Sequence, residues 1–143
     1  MSKKSAKIAA VIEQFQGREF NAHYLSFFDC FNRQLFYEAH DVLEEMWLPQ
    51  KKGPNGSFYK GLIQLAGAFV HLQKQRLGPS AALFKLAQNN LRQYPVWHEG
   101  LNLEEIWVLM DQWLAQLEAN RGNPLNESNA PRLKFPERVA PLG

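Results

Sequence analysis

His40 and Glu44 are the clearest candidates for chemistry in this sequence, because they stand four residues apart in a segment with helical periodicity. Residues at i and i+4 lie on one side of a helix, so this imidazole and this carboxylate can face one point in space. Such a pair can help to hold a divalent metal ion, which could activate water, or it can bind a polar ligand.

The segment that carries the pair, residues 35–48, is predicted to be an amphipathic helix. At 100° per residue, its apolar residues form one continuous sector, with His40 at the edge and Glu44 next to it. The other acidic side chains of the segment fall on the opposite side: Glu38, Asp41 and Glu45. Only Glu44 can therefore act together with His40.

A second helix, predicted over residues 58–76, supplies a matching polar stripe. Its residues are apolar almost all round, which is typical of a helix at the centre of a bundle. The exceptions are Lys60, Gln64 and His71, which lie within about 40° of one another on the helical wheel. Polar side chains on an otherwise buried helix need partners, so we expect this stripe to face the pair on the preceding helix.

The sharpest hypothesis is a divalent metal site between these two helices. His40, Glu44 and His71 would supply two imidazoles and one carboxylate, a ligand set that suits Zn²⁺, Fe²⁺ or Mn²⁺ with open positions. Gln64 would support the ligands or hydrogen-bond a bound molecule. Metal-dependent hydrolysis is then an outside possibility, with Glu44 or Glu38 as the base.

Two other interpretations of the same residues stay open. In one, a small ligand or a partner binds at His40, Glu44, Trp47, Gln64 and Lys60. In the other, the same residues form a structural network in which Glu44 orients the His40 ring and the motif only locks two helices together. The sequence leaves open whether the chain is an enzyme, and it names no substrate. His23 and His98 have no matching partner nearby in the sequence, so we expect them to be exposed rather than ligands.

All periodic segments are helical, which predicts an all-α fold, a single-domain compact bundle of about five to six helices. Asn21 and Asn102 are placed to cap two of these helices. No strand pattern competes anywhere. The further predicted helices span residues 5–16, 20–33, 80–94 and 103–119.

The C-terminal region is predicted to differ from the bundle. We expect the bundle domain to cover residues 1–120, and residues 121–143, which are rich in proline and lack periodicity, to form an extended or disordered tail. Its apolar residues could still dock on the bundle: Leu133, Phe135 and Val139.

Composition limits the class of protein. Of all residues, 45% are hydrophobic, which indicates a packed core, and the net charge of +2 is too small to suggest a nucleic-acid partner. Basic residues are concentrated near both ends, where solvated tails explain them better than a polyanionic partner does. With Cys30 as the only cysteine and no apolar run of about 18 residues, we expect a cytoplasmic protein without a membrane partner. A homo-oligomer is compatible with the sequence.

Two motifs in this order resemble a known bacterial and archaeal family, the "domain of unknown function 309" family. The first runs from Phe36 to His40 and continues to Glu44 and Trp47, in the family's His-x-x-x-Glu-x-x-Trp pattern; the second covers residues 58–66 and His71. The resemblance extends over residues 25–94. It implies a compact bundle of about five helices. The family's function is not established, although metal binding has been suggested from its motif.

Overall fold

A computed structural model describes residues 6–119 and 122–138 of the chain. The fold is all-α, as predicted, with one very short two-stranded sheet. The described elements are α1 (Ala6–Gln14), α2 (Ala22–Asn32), α3 (Phe36–Trp47), a 3₁₀ turn (Leu48–Gln50), α4 (Gly56–Gln73), α5 (Leu77–Leu91), β1 (Trp97–His98), β2 (Leu101–Asn102) and α6 (Leu103–Glu118).

Helix α4 lies at the centre of the bundle, between α3 and α5. Nearly all its residues from Phe58 to Phe69 are buried, as the apolar pattern around its circumference predicted. On one side, the Phe69 ring stacks on Phe36 of α3 at 5.1 Å between centroids. On the other side, the bare backbone at Gly61 lets α5 approach so closely that an added Cβ would lie 2.7 Å from Leu91 Cγ. Small residues in α4 therefore set the distance between the two helices.

Both predicted caps are confirmed. The Asn21 side-chain oxygen accepts a hydrogen bond from the backbone N–H of His23 at 2.8 Å, and Asn102 accepts one from Glu104 at 3.0 Å. Each cap satisfies a backbone donor that has no partner within its helix.

Two expectations about local structure were wrong. Helix α5 begins at Leu77 rather than at residue 80, because Pro79 falls in the first turn, where its missing N–H has no intrahelical partner to lose. In addition, β1 and β2 form an antiparallel hairpin, with Trp97 paired to Asn102. The two turn residues, Glu99 and Gly100, both have positive φ, 47° and 77°, which is the backbone geometry of a tight two-residue hairpin.

Residues 122–138 contain neither helix nor strand, but they lie against the bundle. Leu133 is buried, and the Phe135 ring lies 6.0 Å from the Phe15 ring. Val139 lies outside the described residues, as does the junction at 120–121, so the division into a bundle domain and a tail stays a prediction.

Within residues 6–119 and 122–138, no helix is both long enough and apolar enough to cross a membrane.

Candidate functional site

The predicted pair forms on α3 and is open to solvent. His40 Nε2 lies 3.7 Å from Glu44 Oε2, and about a third of each side chain is exposed, 34% and 36%. An exposed pair at this separation on one helix contributes little to stability, roughly 0.3–0.5 kcal/mol. The Tyr37 ring, one turn before His40, stacks on the imidazole with centroids 6.0 Å apart.

His40 opens onto a groove that runs along α4 between α3 and α5. The groove has a volume of about 500 Å³, within the range of small-molecule sites in proteins. It is lined by Tyr37 and His40 of α3, by Lys60, Ile63, Gln64, Gly67, Val70 and His71 of α4, by Lys74 at the end of α4, and by Leu83 and Leu86 of α5.

The floor of the groove is apolar and includes Gly67. An added Cβ there would lie 3.1 Å from Leu83 Cδ1, so a larger residue at this position would crowd the α5 side of the floor. Ile63 and Val70 flank it on α4, and the side chain of Leu86 on α5 is 48% exposed. A ligand in the groove would therefore bury apolar surface that is now in contact with water.

The polar rim of the groove is basic. Two lysines and two histidines line it, and none of the described lining residues carries a carboxylate; Glu44 and Glu38 are not among them. Lys60 places its ammonium group 4.5 Å from the centre of the Trp47 ring. Burial, followed by the nearby charges of Arg76 and Lys74, lowers the pKa of His71 from its ordinary value, so this imidazole is neutral at pH 7. The rim would attract an anion.

His71 also presents an unused hydrogen-bonding atom. Its Nδ1 is buried without a hydrogen-bond partner among the described residues. A buried polar atom in this state costs free energy until something pairs with it. Because His71 lines the groove, a bound molecule could supply that partner.

The predicted metal ligands do not form a metal-binding group in this structure. Among the described residues, no group of three or more His, Cys, Asp or Glu side chains could hold a metal ion. His40 and Glu44 lie together, and His40 shares the groove with His71, but the three do not converge. A divalent metal at His40, Glu44 and His71 stays a prediction.

Two other predicted site residues make structural contacts. Trp47 donates its indole N–H to the carbonyl of Gly56 at 2.9 Å and thereby ties the end of α3 to the start of α4. Gln64 accepts a hydrogen bond from the Asn90 side chain at 2.7 Å, which joins α4 to α5. Gln64 also lines the groove, whereas Trp47 reaches it only through its contact with Lys60.

The expectation that His23 and His98 are exposed was wrong, because both are partly buried and each has a partner far away in the sequence. His23 Nε2 lies 3.2 Å from Glu45 Oε1, and His98 Nε2 is 2.7 Å from the Asn55 side-chain oxygen. The His98 ring packs 4.8 Å from the Phe58 ring, and burial lowers its pKa although the charge of Glu99 opposes this. These partners lie 22 and 43 residues away in the sequence and could not be found from local spacing.

Sequence reasoning also missed several residues of the groove. Lys74 lies three residues after His71 and continues the polar stripe of α4, so an extension of the helical wheel would have found it. Tyr37 stands three residues before His40 and carries the same signal. Leu83 and Leu86 carry no such signal, because only the packing of α5 on α4 brings them to the site.

Comparison with known proteins gives a family but no activity. Residues 24–83 match the family described as "Domain of unknown function (DUF309)". A relative from Aquifex aeolicus (strain VF5), described as "Uncharacterized protein", is 32% identical over 100 residues, which cover 70% of this chain and 28% of the relative. The chain thus spans less than a third of the length of this relative. No solved structure matches the chain.

The matched residues include most of α2, all of α3 and α4 and the first part of α5, and so they supply most of the groove. Residues 24–83 thus match the domain of unknown function 309 family, as the two motifs indicated.

Proposed function

We propose that the groove between α3, α4 and α5 binds a small amphipathic anion, a molecule with an apolar body and one acidic head group. One observation carries this proposal: two lysines and two histidines line an apolar groove of about 500 Å³ in which no described residue contributes a carboxylate. An apolar cleft with a few polar groups on its rim is the usual form of a small-ligand site.

The position of the head group follows from the spacing along α4. Lys60 and Lys74 are fourteen residues apart, which corresponds to about 21 Å of helix, so one small head group can reach only one of them. His71 stands one turn from Lys74, and its Nδ1 has no partner. We therefore place the head group near His71 and Lys74 and the apolar body over Gly67 and Leu83.

Calorimetry with three probes tests the proposal. Decanoate has both parts of the proposed ligand, acetate has only the head group, and decyltrimethylammonium has the apolar chain with the opposite charge. We expect decanoate to bind with a Kd of about 0.1–1 mM, as its size allows, and the other two to bind at least tenfold more weakly. Equal binding of decanoate and decyltrimethylammonium would overturn the proposed charge preference.

Matched variants locate the site. Lys74→Gln removes a rim charge and should weaken decanoate binding several-fold, whereas Lys52→Gln, in the exposed loop before α4, should leave it unchanged. Gly67→Leu fills the floor and should abolish binding. If the Lys52 and Lys74 variants bind decanoate equally, the rim does not recognise the anion. Zn²⁺ titrated alone in the same experiment tests the metal prediction.

The structural interpretation of the motif is supported by a different observation, namely that Trp47 and Gln64 each join two segments of the bundle. This role is compatible with a ligand in the groove, because the exposed His40–Glu44 pair lies within α3 and does not itself join two helices. We further propose that the protein acts in the cytoplasm. Its lone cysteine, Cys30, is buried as a free thiol, and cell fractionation would test the location.

A further inference from the structure

A second binding surface, separate from the groove, lies where segment 131–138 meets the bundle. Asn32, the last residue of α2, forms two hydrogen bonds with the backbone of one residue of this segment. Its side-chain nitrogen donates to the carbonyl of Leu133 at 2.8 Å, and its side-chain oxygen accepts from the N–H of Leu133 at 2.7 Å. A side-chain amide that pairs with both backbone groups of one residue recognises an extended chain in the way that a neighbouring strand does.

Buried side chains recur every third residue along the segment. Leu133 and Pro136 are buried, while Arg132, Lys134 and Phe135 are exposed. The Phe135 ring still lies 6.0 Å from the Phe15 ring and 6.2 Å from the Phe28 ring. A three-residue repeat in a segment that contains no helix is the pattern of an extended, polyproline-like peptide.

The hairpin turn is shaped to admit the end of the segment. The N–H of Glu137 donates to the carbonyl of Gly100 at 2.9 Å. An added Cβ at Gly100 would lie 2.8 Å from the carbonyl oxygen of Glu137 and 2.9 Å from Pro136 Cβ. Glycine is therefore required here for the segment to come so close.

Basic side chains of the segment also face acidic side chains of the bundle. Lys134 Nζ lies 3.3 Å from Glu105 Oε2, and Arg138 lies 3.7 Å from Glu19 Oε1. In both pairs the segment supplies the cation and the bundle supplies the acid. These exposed pairs contribute little affinity, but they favour a basic peptide over an acidic one.

We propose that this surface, formed by Asn32, Phe15, Phe28 and Gly100, is a peptide-binding site. Its ligand is a basic extended peptide with a leucine, a phenylalanine two residues later and a proline directly after it. In this structure the chain's own segment 131–138 occupies the site. The same segment of a second copy can replace it, because residues 132–138 themselves supply the hydrogen bonds and ion pairs described above.

A peptide-binding site differs from ordinary intrachain packing because it should also bind a separate peptide. A tethered segment is held at an effective concentration of about millimolar, so a modest intrinsic affinity is enough to keep it bound. A free peptide must therefore compete with the tether in the natural chain. It should bind readily once the chain's own segment has been weakened.

Fluorescence anisotropy with a labelled peptide of residues 129–138 tests this on the full-length chain. We use the variant Leu133→Ser/Phe135→Ser, in which the bundle surface is intact and the segment has lost its two apolar anchors. We expect the peptide to bind this variant with a Kd below about 0.1 mM and the unsubstituted chain at least tenfold more weakly, because the tether competes at about 1 mM. Adding Asn32→Ala to the variant removes both backbone hydrogen bonds and should weaken binding by about 10- to 100-fold.

The specificity control is a peptide that carries the same two serine substitutions, which should not bind. If the double variant fails to fold, as circular dichroism would show, Phe135→Ser alone serves, because Phe135 is 39% exposed in the structure. Binding that is unaffected by Asn32→Ala, or absent from a folded variant at millimolar peptide, would overturn the proposal. Neither result bears on decanoate binding in the groove.

Discussion

Replacing Gly100 by alanine should destabilise the protein for two separable reasons. The residue has a φ of +77°, where a Cβ costs about 1–2 kcal/mol. The new Cβ would also lie 2.7 Å from Phe20 Cζ and 2.8 Å from the Glu137 carbonyl oxygen, and overpacking of this kind costs a further 1–3 kcal/mol, roughly. We expect a total loss of about 2–5 kcal/mol in the free energy of unfolding.

Gly17 provides a matched control. It has the same φ of +77°, and no atom of the described residues lies within 4 Å of the position of its added Cβ. Gly17→Ala should therefore show only the backbone cost, about 1–2 kcal/mol. Urea unfolding followed by circular dichroism measures both variants.

The difference between the free energies of unfolding lost in Gly100→Ala and Gly17→Ala measures the cost of the close contact at the hairpin. Part of that contact is with segment 131–138, so Phe135→Ser, which loosens the segment, should reduce the effect of Gly100→Ala in a double-mutant cycle. Equal losses for Gly17→Ala and Gly100→Ala would refute the argument that the hairpin turn is shaped around its neighbours.

Three further predictions concern the helices and the histidines. Gly61→Ala should destabilise the protein by about 1 kcal/mol, because the clash with α5 exceeds the gain in helix propensity. Gly78→Ala, whose Cβ meets no atom of the described residues within 4 Å, should instead stabilise it by up to about 1 kcal/mol. The midpoint of thermal unfolding should therefore fall in the first variant and rise in the second. Because the pKa of His98 is lowered in the folded protein, the unfolded chain binds more protons, and the free energy of unfolding should fall as the pH drops through about 6.5. The fall should be less steep in His98→Gln, as a pH series of urea titrations would show. Equal slopes for the two proteins would mean that His98 is solvated. His40→Ala should change the free energy of unfolding by no more than about 0.5 kcal/mol. Asn90→Ala, which removes the hydrogen-bond donor to Gln64, should lower it by about 1–3 kcal/mol. A larger loss of stability in His40→Ala than in Asn90→Ala would favour a structural role for the His40–Glu44 pair.

Much of the fold could be predicted because it follows from local periodicity. The apolar circumference of α4 indicated its central place, and Asn21 and Asn102 marked helix starts through bonds to residues two positions away. The hairpin escaped prediction because Glu99, rather than asparagine or aspartate, stands before Gly100 in the turn.

The candidate site could be predicted only where it lies within single helices. The spacing of residues assigns them to one face of a helix, and this spacing identified the His40–Glu44 pair and the polar stripe of α4. Contacts between elements far apart in sequence depend on how the helices pack, which no short motif encodes. The α5 wall of the groove belongs to this class, and so do the His98–Asn55 contact and the bonds between Asn32 and Leu133.

An NMR titration of the amide-labelled protein with decanoate tests the central claim most directly, because it reports where the ligand binds. The proposed site predicts saturable shifts that are largest at Gly67, His71, Lys74 and Leu83. It also predicts that the hairpin and segment 131–138 stay unchanged. An absence of shifts up to about 10 mM decanoate, tenfold above the highest expected Kd, or shifts centred away from the groove, would contradict it.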